Sequence, residues 1–323
     1  MATSTPFSVS GKTAIITGAG SGINFCFAKL LLSGNCNVLI ADLSLRPEAG
    51  KLLEEYPSSP RAVFQKTDVS SWKDLNAMFT ACFREFGQVD LVCPGAGVFE
   101  PTWSGFWHPP GCHLSRDDPE GDRYASMDIN LTHPLRVAQL AISSFLNPSA
   151  YGSDVPKASP TNPKRVIFIS STSGESAGLT TPLYYAAKHA ISGFIRCMAE
   201  LEPLGIRCSA VAPGLIKTPL FTDNPEKMRY VDESQASWVT PEFVAECLLA
   251  LAEDDQYQAG TVLRVGKTVE RIPLFNNPGP SYGKDTGHSS SNVAHLRDEI
   301  YGLLQERGWG VNRTATDGPT SKL

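Results

Sequence analysis

The chain has 323 residues, 28 Lys and Arg against 33 Asp and Glu, and a net charge of −5; 41% of its residues are hydrophobic and 19% charged. That suits one large α/β domain with an appendage, or two small domains, of ordinary globular composition. There is no strongly basic tract and no apolar run near the roughly 18 residues that cross a bilayer, so nucleic acid and a membrane span are both unexpected.

In chain order, short β-type runs alternate with helical patterns. Thr13–Thr17 is apolar and partly β-branched, and Gly22–Ser33 places Phe25, Ala28, Leu31 and Leu32 at helical spacing. Strand runs follow at Asn37–Ala41 and Arg61–Gln65. Ser71, with Asp74 three positions on, opens a helix to Phe86 in the manner of a capping box. Leu91–Cys93, Arg165–Ser170, Ile206–Ala212 and Thr261–Val265 complete seven strands. Thr240-Pro241-Glu242 reads as an N-cap with proline at the first helical position, starting a helix to Leu251. Continuous apolar strands separated by helices predict a parallel sheet covered on both faces, a Rossmann-type doubly wound α/β fold.

Three stretches are less regular. Residues 99–122 are rich in Trp, Phe, Pro and His, and residues 147–164, rich in Ser and Pro, read as a solvent loop. Beyond Val265 the pattern stops, leaving coil over 273–291, an amphipathic helix over 292–307 and a polar tail. The expected organisation is a main domain over 1–265 and a C-terminal extension over 266–323. Met1–Ser10 lacks the basic start and apolar core of a secretory signal. Ser321-Lys322-Leu323 has the form of a peroxisomal import address, which would make the import receptor a partner and the peroxisome the location. Eight scattered cysteines with no CxxC pair suggest neither a disulfide framework nor a metal site.

The turn Thr17-Gly18-Ala19-Gly20-Ser21-Gly22-Ile23 joins the first strand to the first helix. Glycines there allow a tight turn and close approach of backbone to a pyrophosphate, which the helix N-terminus attracts. Asp42, just after the second strand, is placed to accept hydrogen bonds from an adenosine ribose and to repel a 2′-phosphate, which predicts NAD over NADP. Asp68 and Val69, after the third strand, are candidates for the adenine edge.

These residues, with others downstream, resemble the short-chain dehydrogenases/reductases over nearly all of residues 9–265. The Thr17–Ile23 turn looks like the family's TGxxxGxG motif. Tyr184-Tyr185-Ala186-Ala187-Lys188 looks like YxxxK, Ser171 precedes Tyr184 by thirteen residues, Asn130 matches the helix asparagine, and Pro213-Gly214-Leu215-Ile216-Lys217-Thr218 matches the PG motif. Within the family the chain is similar to NAD-dependent hydroxyprostaglandin dehydrogenases and fungal members. Two positions depart from the pattern: the third glycine is Asn24, and the NNAG turn after strand four is Pro94-Gly95-Ala96-Gly97.

A free tyrosine is a poor base near neutrality, and an ammonium one helical turn away stabilises its phenolate. Tyr184 and Lys188 stand at i and i+4 and share a helix face. The resemblance implies that Tyr184 exchanges the proton and that Lys188 lowers its pKa and holds the nicotinamide ribose. It further implies that Ser171 bonds the substrate oxygen and that Asn130 anchors a water in a proton relay. Gly18, Ser21, Gly22, Ile23, Gly95, Ala96, Gly97, Pro213 and Gly214 would line the cofactor, with Ile216 and Thr218 at its carboxamide. His189 reads as a helix-surface residue, and Cys93 lacks a base partner. Phe99, Trp103, Phe106 and Trp107, together with Leu220, Phe221, Met228 and Tyr230, are candidates either for an apolar pocket, which suggests a hydrophobic secondary alcohol or ketone, or equally for packing against the C-terminal extension. The alternatives are a ketoreductase of secondary-metabolite biosynthesis or an NAD-binding scaffold without turnover. A homodimer or homotetramer built on the helices of Asn130 and Tyr184 is the expected assembly.

Overall fold

A computed structural model describes residues 5–223, 228, 231, 237–273, 293–306 and 308–309. The three C-terminal residues of the import-address motif, and Tyr230, lie outside them. Eight strands form one sheet: β1 (Thr13–Thr17), β2 (Asn37–Asp42), β3 (Ala62–Lys66), β4 (Leu91–Pro94), β5 (Lys164–Ile169), β6 (Ile206–Pro213), β7 (Val262–Val265) and β8 (Val269–Arg271). Their order is β3-β2-β1-β4-β5-β6-β7-β8; the first seven are parallel, and β8 pairs antiparallel with β7. The order reverses between β1 and β4, and a ligand crevice opens beyond the strand C-termini at such a point.

The helices are α1 (Gly22–Ser33), α2 (Pro47–Glu55), α3 (Trp72–Phe86), α4 (Ala125–Met127), α5 (His133–Leu146), α6 (Pro182–Cys197), α7 (Pro219–Thr222), α8 (Pro241–Glu253) and α9 (Val293–Gln305); a π turn, Asp128–Thr132, joins α4 to α5. Strand side chains alternate between two apolar layers. Ile15 and Leu39 meet Phe79, Val137 and Ile195 of α3, α5 and α6 on one face. Ala14, Ile16, Val38 and Ile40 meet Phe27, Leu31, Leu248 and Leu251 of α1 and α8 on the other. Both faces are buried, so these strands read as unbroken apolar runs.

Local signals set several boundaries. The Ser71 hydroxyl accepts from Asp74 N–H at 3.3 Å, and α3 ends on Gly87 in the left-handed region, φ 72°. Thr240 caps α8 by accepting from Phe243 N–H at 3.2 Å.

The end of the chain differs from expectation. The sheet does not stop at Val265: β8 adds an eighth strand to the seven read from sequence. Val269, Glu270 and Arg271 are exposed on this short edge, so no apolar alternation marks it. Ile272 and Leu304 are buried in the main core, and the Trp309 carbonyl accepts from Ser143 and Asn147 at the end of α5, at 2.9 and 3.1 Å. The described part of the extension is thus packed on the main domain. The 147–164 stretch is more ordered than a solvent loop: Tyr151 stacks on Phe83 at 4.5 Å, and Ala158 is buried.

Candidate active site

A cleft of about 860 Å³ lies at the C-terminal edge of the sheet, running from Asp42 and Leu43 at one end to Phe221 and Val231 at the other. Gly18, Ser21, Gly22, Ile23, Asp42, Asp68, Val69, Gly95, Ala96, Gly97, Ser171, Tyr184, Lys188, Pro213, Gly214, Ile216 and Thr218 all line it. Of the residues singled out from sequence for catalysis or cofactor binding, Asn130 alone stands behind the wall.

At the Asp42 end, the first turn of α1 contains no acidic residue, and Ser21 gives it no side-chain cap. Its N–H groups are left for an anion. The Asp42 carboxylate accepts from Gly20 N–H at 2.8 Å and from Leu43 N–H at 2.7 Å. Oδ1 also accepts from Ser44 N–H at 3.5 Å, so of the carboxylate's roughly four lone-pair sites the open one for a ribose hydroxyl is on Oδ2. A Cβ on Gly20 would lie 2.3 Å from the Ser44 carbonyl oxygen, so only glycine fits there. Arg46 is ion-paired with Asp223, which engages its guanidinium. Uncapped amides, a glycine cradle and a carboxylate suit a dinucleotide.

At the other end, α6 carries Tyr184 and Lys188 on one face. Ser171 lines the cleft with Tyr184; its hydroxyl donates to the Pro213 carbonyl at 3.4 Å and accepts from Ser173 N–H at 3.1 Å. The Lys188 ammonium lies 5.5 Å from the Tyr184 ring centre and donates to the Ile169 carbonyl at 2.9 Å. Burial lowers its pKa to about 8. From sequence, Lys188 is expected to draw the phenol downward. In the structure burial prevails: the Tyr184 phenol sits above its ordinary value, with the neighbouring Ser171 hydroxyl opposing that rise.

Asn130, 3% exposed, sits in the π turn. Its amide oxygen accepts from Val98 N–H at 2.9 Å, and its nitrogen donates to the Val98 carbonyl at 2.8 Å. The side chain is therefore engaged in fixing the segment after β4, and its amide oxygen and nitrogen each keep one further hydrogen-bonding site.

The aromatic wall is divided. Phe99 meets Tyr184 edge-on at 5.1 Å and Phe221 at 6.1 Å; Phe221 meets Trp238 at 5.7 Å. Leu220 also faces the cleft. Phe106 and Trp107 pack on each other at 4.9 Å and are 48% and 53% exposed, away from the cleft; Trp103 lies under Arg116. His189 is exposed on α6, and burial pushes the Cys93 thiol up, away from nucleophilic use.

Three contributors escaped the sequence reading. His133 is buried, with a pKa lowered to about 4 chiefly by desolvation, so it is neutral near pH 7. Its Nδ1 lies 3.0 Å from the Ile129 carbonyl and its Nε2 3.0 Å from the Thr17 hydroxyl, which itself accepts from Ala96 N–H at 3.2 Å. With Nδ1 as donor, that chain ties the glycine turn, the β4 turn and the π turn together. Glu100 accepts from Tyr184 N–H at 3.0 Å and from Phe106 N–H at 2.8 Å. It caps α6 from another part of the chain, since Thr181 at the N-cap makes no such bond. Trp238 reaches Phe221 because Val239 bridges to Ile216 across a long connection. Sequence spacing carries no sign of any of the three pairings.

The short chain dehydrogenase family model matches residues 12–229. The chain belongs to that family. It is 26% identical over 274 residues to the 15-hydroxyprostaglandin dehydrogenase [NAD(+)] of Rattus norvegicus, covering 80% of this chain and 91% of that one. It is 28% identical over 278 residues to the short chain dehydrogenase/reductase astE of Aspergillus oryzae, covering 82% and 97%. Among solved structures, the 3-ketoacyl-(acyl-carrier-protein) reductase of Brucella melitensis complexed with NADH superimposes with a TM-score of 0.60 at 24% identity, covering 80% of this chain and 98% of that one. That last likeness concerns the fold.

Proposed function

We propose that this oxidoreductase interconverts a hydrophobic secondary alcohol and its ketone using NAD(H), with Tyr184 as the acid/base. The observation that carries this reading is the convergence of Ser171, Tyr184 and Lys188 on one cleft, with the Lys188 ammonium 5.5 Å from the Tyr184 ring centre. NAD, when bound, would supply the hydride acceptor or donor. Ser171 and Tyr184 together offer two hydroxyls to one substrate oxygen. In oxidation Tyr184 takes the alcohol proton; in reduction it gives one to the forming alkoxide. The ammonium of Lys188 favours the phenolate in either direction. The residues holding NAD would be the α1 N-terminus, Asp42 on the adenosine ribose, and Ile216 and Thr218 beside Lys188.

Two observations support the finer terms. Asp42 would repel a 2′-phosphate, and Arg46, already paired with Asp223, offers no cation to bind one. The Phe99–Phe221–Trp238 run beside the Tyr184 ring supports an apolar substrate.

Tyr184→Phe tests the assignment. Turnover of a hydrophobic secondary alcohol with NAD is expected to fall by about 10³-fold, within the usual reach of acid–base catalysis. NADH affinity, read by fluorescence titration, is expected to stay within about two-fold. A variant with wild-type turnover would remove Tyr184 from the chemistry.

A further inference from the structure

Two glycines at the cofactor end of the cleft are required for different reasons. Gly18 has φ +75°, a conformation that disfavours side chains whatever the space. Gly95 is not among the glycines with positive φ, so its backbone would accept another residue. Space is what excludes one. A Cβ on Gly95 would lie 2.2 Å from Oδ1, 2.7 Å from Cγ and 2.7 Å from Nδ2 of Asn24, and those three atoms are its nearest neighbours. Glycine at 95 is demanded by one side chain, and that side chain belongs to another element.

Asn24 is the third residue of α1, 7% exposed, and among the residues lining the cleft. Its Oδ1 is buried with no hydrogen-bond partner in the structure. Its Nδ2 would lie 3.0 Å from a Cβ on Gly18. The amide is therefore wedged between the turn after β1 and the turn after β4, where the strand order reverses, and it fills space there without tying its oxygen to either turn. Both departures from the family pattern meet at this point: the side chain gained at 24 occupies the room left by the one missing at 95.

We infer that Asn24 and Gly95 act as one unit, and that Asn24 is a positioning residue for the dinucleotide. Its amide fills the space beside the contact between Gly18 and Ala96 and so fixes where Gly95 lies against the first turn of α1. This rests on the dinucleotide reading of the cleft.

The test is a double-mutant cycle of Asn24→Ala, Gly95→Ala and the pair, reading NADH affinity by fluorescence titration and thermal midpoint on the same four proteins. Gly95→Ala alone is expected to weaken NADH binding by about ten-fold or more and to lower the midpoint, because the new methyl strikes the amide. With Ala at 24 the same change is expected to alter affinity by less than about two-fold. An equal effect in both backgrounds, or none in either, overturns the inference. If Gly95→Ala does not fold alone, recovery of folded, NADH-binding protein in the pair supports the unit, and failure of the pair to fold or bind while Asn24→Ala does both overturns it. Should the parent protein fail to bind NADH, the dinucleotide reading falls, and the midpoints alone still report whether residues 24 and 95 are coupled.

Discussion

The two ends of the cleft are built differently. The dinucleotide end is made of short turns directly at strand ends: Thr17–Ile23 after β1, Asp42 closing β2, Asp68 just past β3. Its contacts are largely backbone, and glycines mark the points of close approach. The substrate end is made of side chains delivered by long connections: Phe99 at the start of the segment before α4, Phe221 on α7, Trp238 ahead of α8. The first end has little freedom once the strand order is set. The second can be rebuilt without touching the sheet, and there the apolar contacts that choose a substrate belong.

The largest effect that would sharpen this contrast concerns Asp42. Replacing it with Ala removes one charge-assisted acceptor from the dinucleotide end, worth about 1.5–3 kcal/mol. NADH affinity is expected to fall by about 10–100-fold while the NADPH constant holds or improves. Paired titrations with the two dinucleotides would show it. An unchanged ratio would place the adenosine ribose elsewhere and break the equation of this end with NAD specificity.

A middle-sized effect separates the Tyr184–Lys188 centre from both ends. Lys188 has no carboxylate beside it, and burial lowers its pKa to about 8 against 10.5 for the free side chain. Below pH 8 both folded and unfolded chains carry the proton, and the folded chain bears the full burden of a buried charge. Between about 8 and 10.5 the unfolded chain binds more protons than the folded one, so this group's contribution to stability rises with pH, then levels off. Relative to Lys188→Met, the wild-type protein is expected to gain up to about 2 kcal/mol between pH 7.5 and 9.5 in urea unfolding. A constant difference would mean that the ammonium is solvated and free of the burial drawn here.

The same contrast explains what was legible in the sequence. Strand identity, the α1 and α3 boundaries and the cleft-lining residues from Gly18 to Thr218 could be read because each depends on local chemistry: apolar runs, a capping serine, glycines, an i,i+4 pair. β8 was missed because an exposed three-residue edge strand has no apolar face to declare it. The pairing of the Asn130 amide with Val98 was hidden because it joins a π turn to the segment after β4, 32 residues apart. Phe106 and Trp107 were read as pocket residues from their proximity to Phe99, yet seven or eight residues of chain is enough to turn them outward. Composition near a site does not fix direction, whereas a spacing of four on a helix does.

The smallest effect bears on how the two ends are joined. The segment after β4 runs from the cofactor turn, Gly95–Gly97, through Val98 and Phe99 to Glu100, whose carboxylate accepts from both Tyr184 N–H and Phe106 N–H. One side chain thus caps the helix bearing Tyr184 and ties to it the aromatic connection at the other end of the cleft. Glu100→Ala is expected to lower stability by about 1 kcal/mol, the usual worth of a cap, visible as a fall of about 1–2 degrees in thermal midpoint. Glu100→Gln keeps one acceptor oxygen but sets an amide N–H₂ against the second backbone donor, so it is expected to recover only part of the loss. Full recovery with Gln would show that one of the two bonds is dispensable. A neutral Ala variant would show that Tyr184 is held by its packing alone, leaving the two ends of the cleft independent of each other at this residue.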